Sequence, residues 1–284
     1  QIGHFDTSGW AEDVYISGNY AYVADDENGL VIIDISDPTN PQQVGHCDTN
    51  EYAFSVYVSE NYAYVADGWN GLVIIDITNP TNPQQIGHCD TNEYAYSVYV
   101  SGNYAYVADR GNGLVIIDIT NPTNPQQIGR YDTNGSAYDV YVSGDYAYVA
   151  DGENGLVIID VNDPTNPQQI GHCDTNGYAY GVYVSGNYAY VADGWNGLVI
   201  IDITNPTNPK QIGHYDTNGY AQGVYVSENY AYVADGWNGL VIIDISDPTN
   251  PQQVGYCDTE SACDVYISGD YAYVADEENG LVII

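Results

Sequence analysis

The chain has no methionine, almost no basic residues, and no apolar run near the roughly 20 residues that span a bilayer as a helix. Each absence excludes something. Without methionine the sequence reads as a processed or excised piece, so any signal peptide or anchor would lie outside it. Only Arg110, Arg130 and Lys210 oppose 39 acidic residues, which gives a formal charge of −36. A surface this negative repels phosphate backbones and anionic headgroups, so nucleic-acid partners and direct membrane insertion are not expected. The same charge keeps a protein soluble and fits an extracellular or cell-surface setting. There are five cysteines, Cys47, Cys89, Cys173, Cys257 and Cys263. Four share one repeat position on what reads as an outermost strand, where neighbouring units splay too far apart for a disulfide. They read as small apolar fillers and say little about compartment.

Helical periodicity is also missing, and a repeat stands in its place. Ala-Tyr-Val-Ala-Asp occurs seven times, ending at Asp25, Asp67, Asp109, Asp151, Asp193, Asp235 and Asp276. Asn-Gly-Leu-Val-Ile-Ile also occurs seven times, and the period is 42 residues five times, then 41. A period of this length with β-rich segments predicts one four-stranded blade per repeat. The fold class is therefore all-β: a seven-bladed β-propeller, four antiparallel strands per blade, forming one domain over residues 1–284.

Residues 53–90 show the unit. Ala53–Ser59 reads as the innermost strand and Tyr62–Asp67, alternating large and small, as the second. Between them Glu60-Asn61, elsewhere Gly-Asn or Gly-Asp, suits a two-residue hairpin with both central residues at positive φ. Leu72–Ile77 is apolar throughout, as a strand buried on both faces should be. The Asn-Pro-Thr-Asn-Pro loop then breaks the ladder, and Gln84–Asp90 is the outer strand. The expected blades are about 9–48, 51–90, 93–132, 135–174, 177–216, 219–258, and 260–284 plus 1–6. The last blade lacks a fourth strand and the first six residues are an outer strand without a blade, so the N-terminal strand (1–6) should complete the C-terminal blade and close the ring.

Leu-Val-Ile-Ile-Asp followed by Asp/Asn-Pro-Thr-Asn-Pro resembles the LVIVD-repeat family of β-propellers over the entire chain, with Ile in place of Val before the Asp. The resemblance implies a secreted or cell-surface protein of bacteria or archaea, often part of a larger surface or surface-layer protein. It carries no catalytic residue across.

Variation between the copies concentrates in one set of loops. The two residues after the Ala-Asp marker are Asp26-Glu27, Gly68-Trp69, Arg110-Gly111, Gly152-Glu153, Gly194-Trp195, Gly236-Trp237 and Glu277-Glu278. The face carrying these loops is the candidate binding face; the alternative is that loops simply tolerate change. Trp69, Trp195 and Trp237 stand there as anchors for a protein partner or a cell-surface glycan, unless each folds down over its own blade. A second variable slot, Glu12, Phe54, Tyr96, Tyr138, Tyr180, Gln222 and Cys263, should surround the channel mouth, with Arg110 the only cation on this face. Tyr96, Tyr138 and Tyr180 are the candidate contacts from it. Most other tyrosines read as packing between blades.

Carboxylates ring the same face. Asp13 and Asp264 should meet at the mouth and are the candidate ligands of a Ca²⁺ ion, although no segment carries a calcium-loop signature. The Asp that follows the isoleucines (Asp34, Asp76 and their counterparts) reads as a buried structural clamp. The histidines share one outer-strand position in separate blades and cannot converge. With neither His nor Lys on the candidate face, the chain is not expected to be an enzyme and no cofactor is required. Asn134-Gly135-Ser136 is a glycosylation sequon. The leading function is a non-catalytic interaction module binding a protein partner; the alternatives are a glycan-binding, lectin-like propeller and a structural spacer.

Overall fold

In the computed structural model, which describes residues 1–284, the chain forms 28 strands in seven four-stranded antiparallel sheets. In the first blade the inner strand Asp13–Ser17 pairs with Tyr20–Ala24, that with Leu30–Asp34, and that with the outer strand Gln42–Cys47. The next five blades repeat this order. The seventh takes three strands from the C-terminal end and its outer strand, Gly3–Phe5, from the N-terminus, with Gly3 opposite Ile283 and Phe5 opposite Leu281. Closure is as the two chain ends predict.

The alternation of the second strand fills both faces of each blade. Tyr22 and Ala24 point into the junction with the second blade, while Ala21 and Val23 point into the junction with the seventh. Six of the seven junctions hold a cluster of twelve buried side chains. The junction between blades six and seven holds a smaller one, built on Ala234, Leu240, Val265, Val274 and Val282. A bulge in each complete outer strand places one extra residue opposite the isoleucines, and in blade two that residue, Ile86, packs on the next core.

The glycine of the outer strand is demanded by close packing. A Cβ on Gly87 would run into the carbonyl oxygen of Pro122 in the following blade's proline loop, and Gly3, Gly45, Gly129, Gly171 and Gly213 meet their own prolines the same way. Gly255 has no such neighbour; the nearest atom to its Cβ position is in the Ile242 side chain, 3.0 Å away.

Two expectations need correction. The hairpin turns carry positive φ at the first central residue only, Gly18 (φ 60°) or Glu60 (φ 54°), because one left-handed residue suffices to reverse these strands. The Asp after the isoleucines is not a buried clamp. Asp34 faces solvent and accepts from the Ser36 backbone N–H at 2.9 Å, closing a small turn of its own loop. The buried carboxylate is instead the marker Asp: Asp109 accepts from Thr91 Oγ1 at 2.7 Å and from Asn112 Nδ2 at 2.7 Å. Thr91 follows the outer strand of blade two and Asp109 lies in blade three, so this bond latches one blade to the next. The five cysteines are free. The histidines are surface groups, each meeting the Asn carbonyl of its own blade's turn, as His88 Nε2 does with Asn70 O at 2.7 Å. Asn134 of the sequon is exposed.

Candidate binding face and channel mouth

The inner strands run from the variable face into the channel, and four consecutive residues of each line a cavity of about 240 Å³. The deepest layer is a closed ring of seven tyrosines: Tyr15, Tyr57, Tyr99, Tyr141, Tyr183, Tyr225 and Tyr266. Neighbouring ring centroids stand 4.8–5.1 Å apart all the way round. Burial, then the crowding of neighbouring tyrosines, holds the phenols of Tyr15, Tyr99 and Tyr183 well above the usual tyrosine range. Each ring tyrosine lines the channel and also packs against the core of a blade junction, as Tyr57 and Tyr99 do. Tyr22, Tyr64, Tyr106, Tyr148 and Tyr190 on the second strands are buried within the junctions themselves. The sign of the ring in the sequence was a tyrosine invariant between two aliphatics in every inner strand.

Above the ring lies a layer that differs from blade to blade: Asp13, Ser55, Ser97, Asp139, Gly181, Gly223 and Asp264. The inner strand has a free edge, and Asp13, Ser55 and Asp139 cap it across the blade boundary. Asp13 Oδ2 accepts from Val56 N at 2.8 Å, and Asp139 accepts from Ser97 Oγ at 2.6 Å and Val182 N at 2.8 Å. Asp13 and Asp264 come together, as their positions predict. Desolvation, then the adjacent Asp13, pushes the Asp264 carboxyl well above its ordinary value. No group of three or more His, Cys, Asp or Glu is arranged to hold a metal ion.

The mouth itself has two unlike halves. Phe54, Tyr96, Tyr138, Tyr180 and Tyr220 form a continuous aromatic arc, with centroid separations of 4.8, 4.9, 4.9 and 5.2 Å. The Arg110 guanidinium sits 5.8 Å from the Tyr96 ring centroid. Facing the arc, blades six, seven and one contribute Gln222, Cys263 and Glu12. Burial, with Asp26, Glu277 and Asp13 nearby, raises the Glu12 carboxyl from 4.5 to about 7. Desolvation, then Glu12 and Glu277, pushes the Cys263 thiol up.

The variable loops have a fixed half and a free half. The first residue of each pair bridges the alanine that precedes the next inner strand; Asp26 N donates to Ala53 O at 3.2 Å. It takes a positive φ, which suits the four glycines and is unfavourable for Asp26 (48°), Arg110 (33°) and Glu277 (36°). The second residue is free, and Trp69, Trp195 and Trp237 are 59%, 65% and 61% exposed. Trp69 and Trp195 lean on the next blade, whereas Trp237 stacks on Tyr220 of its own blade, 6.4 Å between centroids. Trp69 leans edge-on against Tyr94 of the next blade, 5.2 Å between centroids. Trp195 touches both Trp237 (5.2 Å) and Tyr220 (5.1 Å). The three tryptophans therefore occupy two places, both adjoining the mouth: Trp69 alone, through Tyr94, which touches Phe54 and Tyr96, and the Trp195–Trp237 pair, through the Tyr220–Tyr180 hydroxyl contact.

Seven blades closed around a tyrosine-lined channel define a seven-bladed β-propeller. The LVIVD repeat model matches residues 8–49, 51–91, 93–133, 134–175, 176–217, 218–259 and 261–284, and the chain belongs to that family. No curated protein matches it in sequence. Among solved structures it is similar to a chain of the Mitotic Checkpoint Complex (TM-score 0.82, 13% identity, covering 100% of this chain and 91% of that one). It is similar also to the β-propeller domain of Myceliophteria thermophila Cps50 (Swd1), with a TM-score of 0.77, 14% identity and 98% of each chain covered. The computationally designed Ika8 protein matches with a TM-score of 0.74 at 6% identity, over 99% of this chain and 98% of that one. At such identities the likeness shows the fold.

Proposed function

We propose that this propeller is a non-catalytic interaction module, extracellular or at a cell surface, that holds a protein partner on its variable face. The observation that carries the reading is the Trp195–Trp237–Tyr220 cluster. Two indoles more than half exposed touch each other on a scaffold whose backbone is locked by inter-blade bridges. Exposed aromatics on a rigid support bury large area at small entropic cost, which is how interface anchors work. The family membership is in keeping with a binding scaffold. A lectin with equivalent sites at Trp69, Trp195 and Trp237 has less support, because Trp195 and Trp237 touch while Trp69 stands apart.

The test is affinity isolation from the surface fraction of the source cells with three baits: the unaltered chain, Trp195→Ala/Trp237→Ala, and Thr123→Ala on the opposite face. The expected result is a discrete set of proteins lost with the double variant and kept with Thr123→Ala. Identical capture by all three baits overturns the reading.

A further inference from the structure

Beyond the tryptophan cluster, the channel mouth has the makings of a second, more specific site. Its wall combines three features that recognition of an organic cation needs. The first is an aromatic arc in the wall, Phe54, Tyr96, Tyr138 and Tyr180, with a guanidinium already set 5.8 Å from the Tyr96 ring centroid. The second is the opposing acid group, Glu12 with Asp26 and Glu277 beside it. The third is room. The cavity of about 240 Å³ corresponds to roughly eight waters at ~30 Å³ each, enough for a small amine and too small for a folded segment.

The molecule already shows what this arc attracts. Its own Arg110 places a guanidinium over Tyr96, from a loop residue with φ of 33° where four sister loops carry glycine. The acid half departs from the repeat in the same way. Asp26 and Glu277 take the other two left-handed positions not held by glycine, so all three charges at this slot are kept against local backbone preference.

We infer that the channel mouth is a binding site for one organic cation, an ammonium or guanidinium group on a short alkyl or aryl stem, with the stem against Tyr96, Tyr138 and Tyr180 and the charge toward Glu12. The same chemistry is presented by a free amine and by a lysine or arginine side chain of a polypeptide. The inference does not depend on the protein-partner reading, since it uses neither Trp195 nor Trp237.

Calorimetric titration at constant ionic strength tests it, with phenethylammonium and N-butylguanidinium chlorides as probes and phenylacetate as the anionic control. A capped Gly-Lys-Gly peptide distinguishes the sources: binding comparable to the free amines assigns the site to a polypeptide side chain, and binding of the free amines alone assigns it to a small molecule. The expected result is one saturable site for the cations, none for phenylacetate, and at least tenfold weaker binding in Glu12→Gln and Tyr138→Ala. Arg110→Gly removes a competing charge and should tighten binding several-fold, which a purely structural role for Arg110 would not produce. Trp195→Ala/Trp237→Ala should leave the titration unchanged, so failure of this site and failure of the partner surface are separable. Absence of saturable heat up to about 10 mM, tenfold above a dissociation constant of about 1 mM, overturns the inference. So does equal binding of phenylacetate, or unchanged affinity in Glu12→Gln, an isosteric change that should keep the fold.

Discussion

The two faces of the ring use the same residue type to opposite ends. On the face of hairpins and proline loops, Asp34, Asp76, Asp118 and Asp202 stay in solvent and accept backbone N–H bonds from two residues on, which holds their carboxyls below the usual value of 3.8. On the variable face, Asp67 and Asp109 are buried as blade-to-blade latches, and desolvation outweighs their hydrogen bonds and lifts them to about 6. The first face is thus built from exposed local turns and keeps its charge into acid. The second is built from buried long-range contacts, and its charge is costly at neutral pH. Invariance on one face and variation on the other follow from this division. The proline face has little besides packing to satisfy, while the variable face combines a fixed latch with a free loop residue.

The largest effect should come from the packing that fixes the proline face. Gly87→Ala drives a Cβ into the Pro122 carbonyl, and backbone cannot yield as a side chain can. A loss of roughly 3 kcal/mol or more is expected, or failure to fold. Gly255→Ala should cost much less because the atoms nearest its Cβ position belong to the Ile242 side chain, which can adjust. Thermal melting of the two variants compares them. Equal losses would mean that the close approach does not fix the junction.

Next in size is the response to pH, where the faces should act in opposite directions. A carboxyl raised in the folded state favours folding fully below its unfolded value and loses that contribution as pH rises through the folded one. Glu12 therefore stabilises the fold least above pH 7 and most below pH 4.5, a difference on the order of 3 kcal/mol. Asp67 and Asp109 act the same way up to about pH 6. The lowered carboxyls of the proline face are protonated only below 3.8, and there they withdraw stability. The melting temperature should therefore rise as pH falls from 8 to about 4.5 and drop in stronger acid. Glu12→Gln should flatten the upper part of this curve and match the unaltered chain near pH 4.5. A curve that climbs from pH 5 to 8 would contradict the assignment.

These differences also explain what the sequence could and could not reveal. The blades, the four strands and the closure were legible because they rest on periodicity: seven Ala-Tyr-Val-Ala-Asp markers and two incomplete chain ends. The variable slot was legible as a channel mouth because its position follows from strand order, and Tyr96, Tyr138 and Tyr180 do line it with Glu12 opposite. Burial of the acids was not legible. Asp34 follows four apolar residues and looks buried, yet it ends its strand at the solvent; Asp109 precedes a turn and looks like turn chemistry, yet Thr91 reaches it from the blade before. Local pattern does not show a partner 18 residues away. The tyrosine ring was hidden for a related reason: with 31 tyrosines in the chain, only the strand geometry separates those lining the channel from those packing blades.

The latch itself provides a sharper comparison of the faces. Thr91→Val keeps shape but removes the hydroxyl donor to a buried carboxylate, so about 1–3 kcal/mol should be lost. Thr123→Ala on the proline face removes an exposed bond to Asn121 and should change stability by less than about 0.5 kcal/mol. Chemical denaturation of both variants decides the point, and similar losses would remove the distinction drawn between local turns and long-range latches.

The smallest effect lies within the proline face, at two hairpins that depart from their sisters. Glu60 and Glu228 both sit at φ 54°, where five other turns use glycine with no atom within 4 Å of its Cβ position. A left-handed conformation costs a residue with a Cβ about 1–2 kcal/mol, and glycine returns part of that gain through its greater freedom in the unfolded chain. Each change also removes one negative charge from a chain that carries −36. Glu60→Gly and Glu228→Gly should therefore each stabilise the protein by roughly 0.5–1 kcal/mol, seen as a higher denaturation midpoint at unchanged slope. The two turns are far apart in sequence and share no partner, so the double variant should show the sum. A loss of stability would mean that these glutamates make a contribution that turn geometry does not account for, and that the proline face is less uniform than its repeats imply.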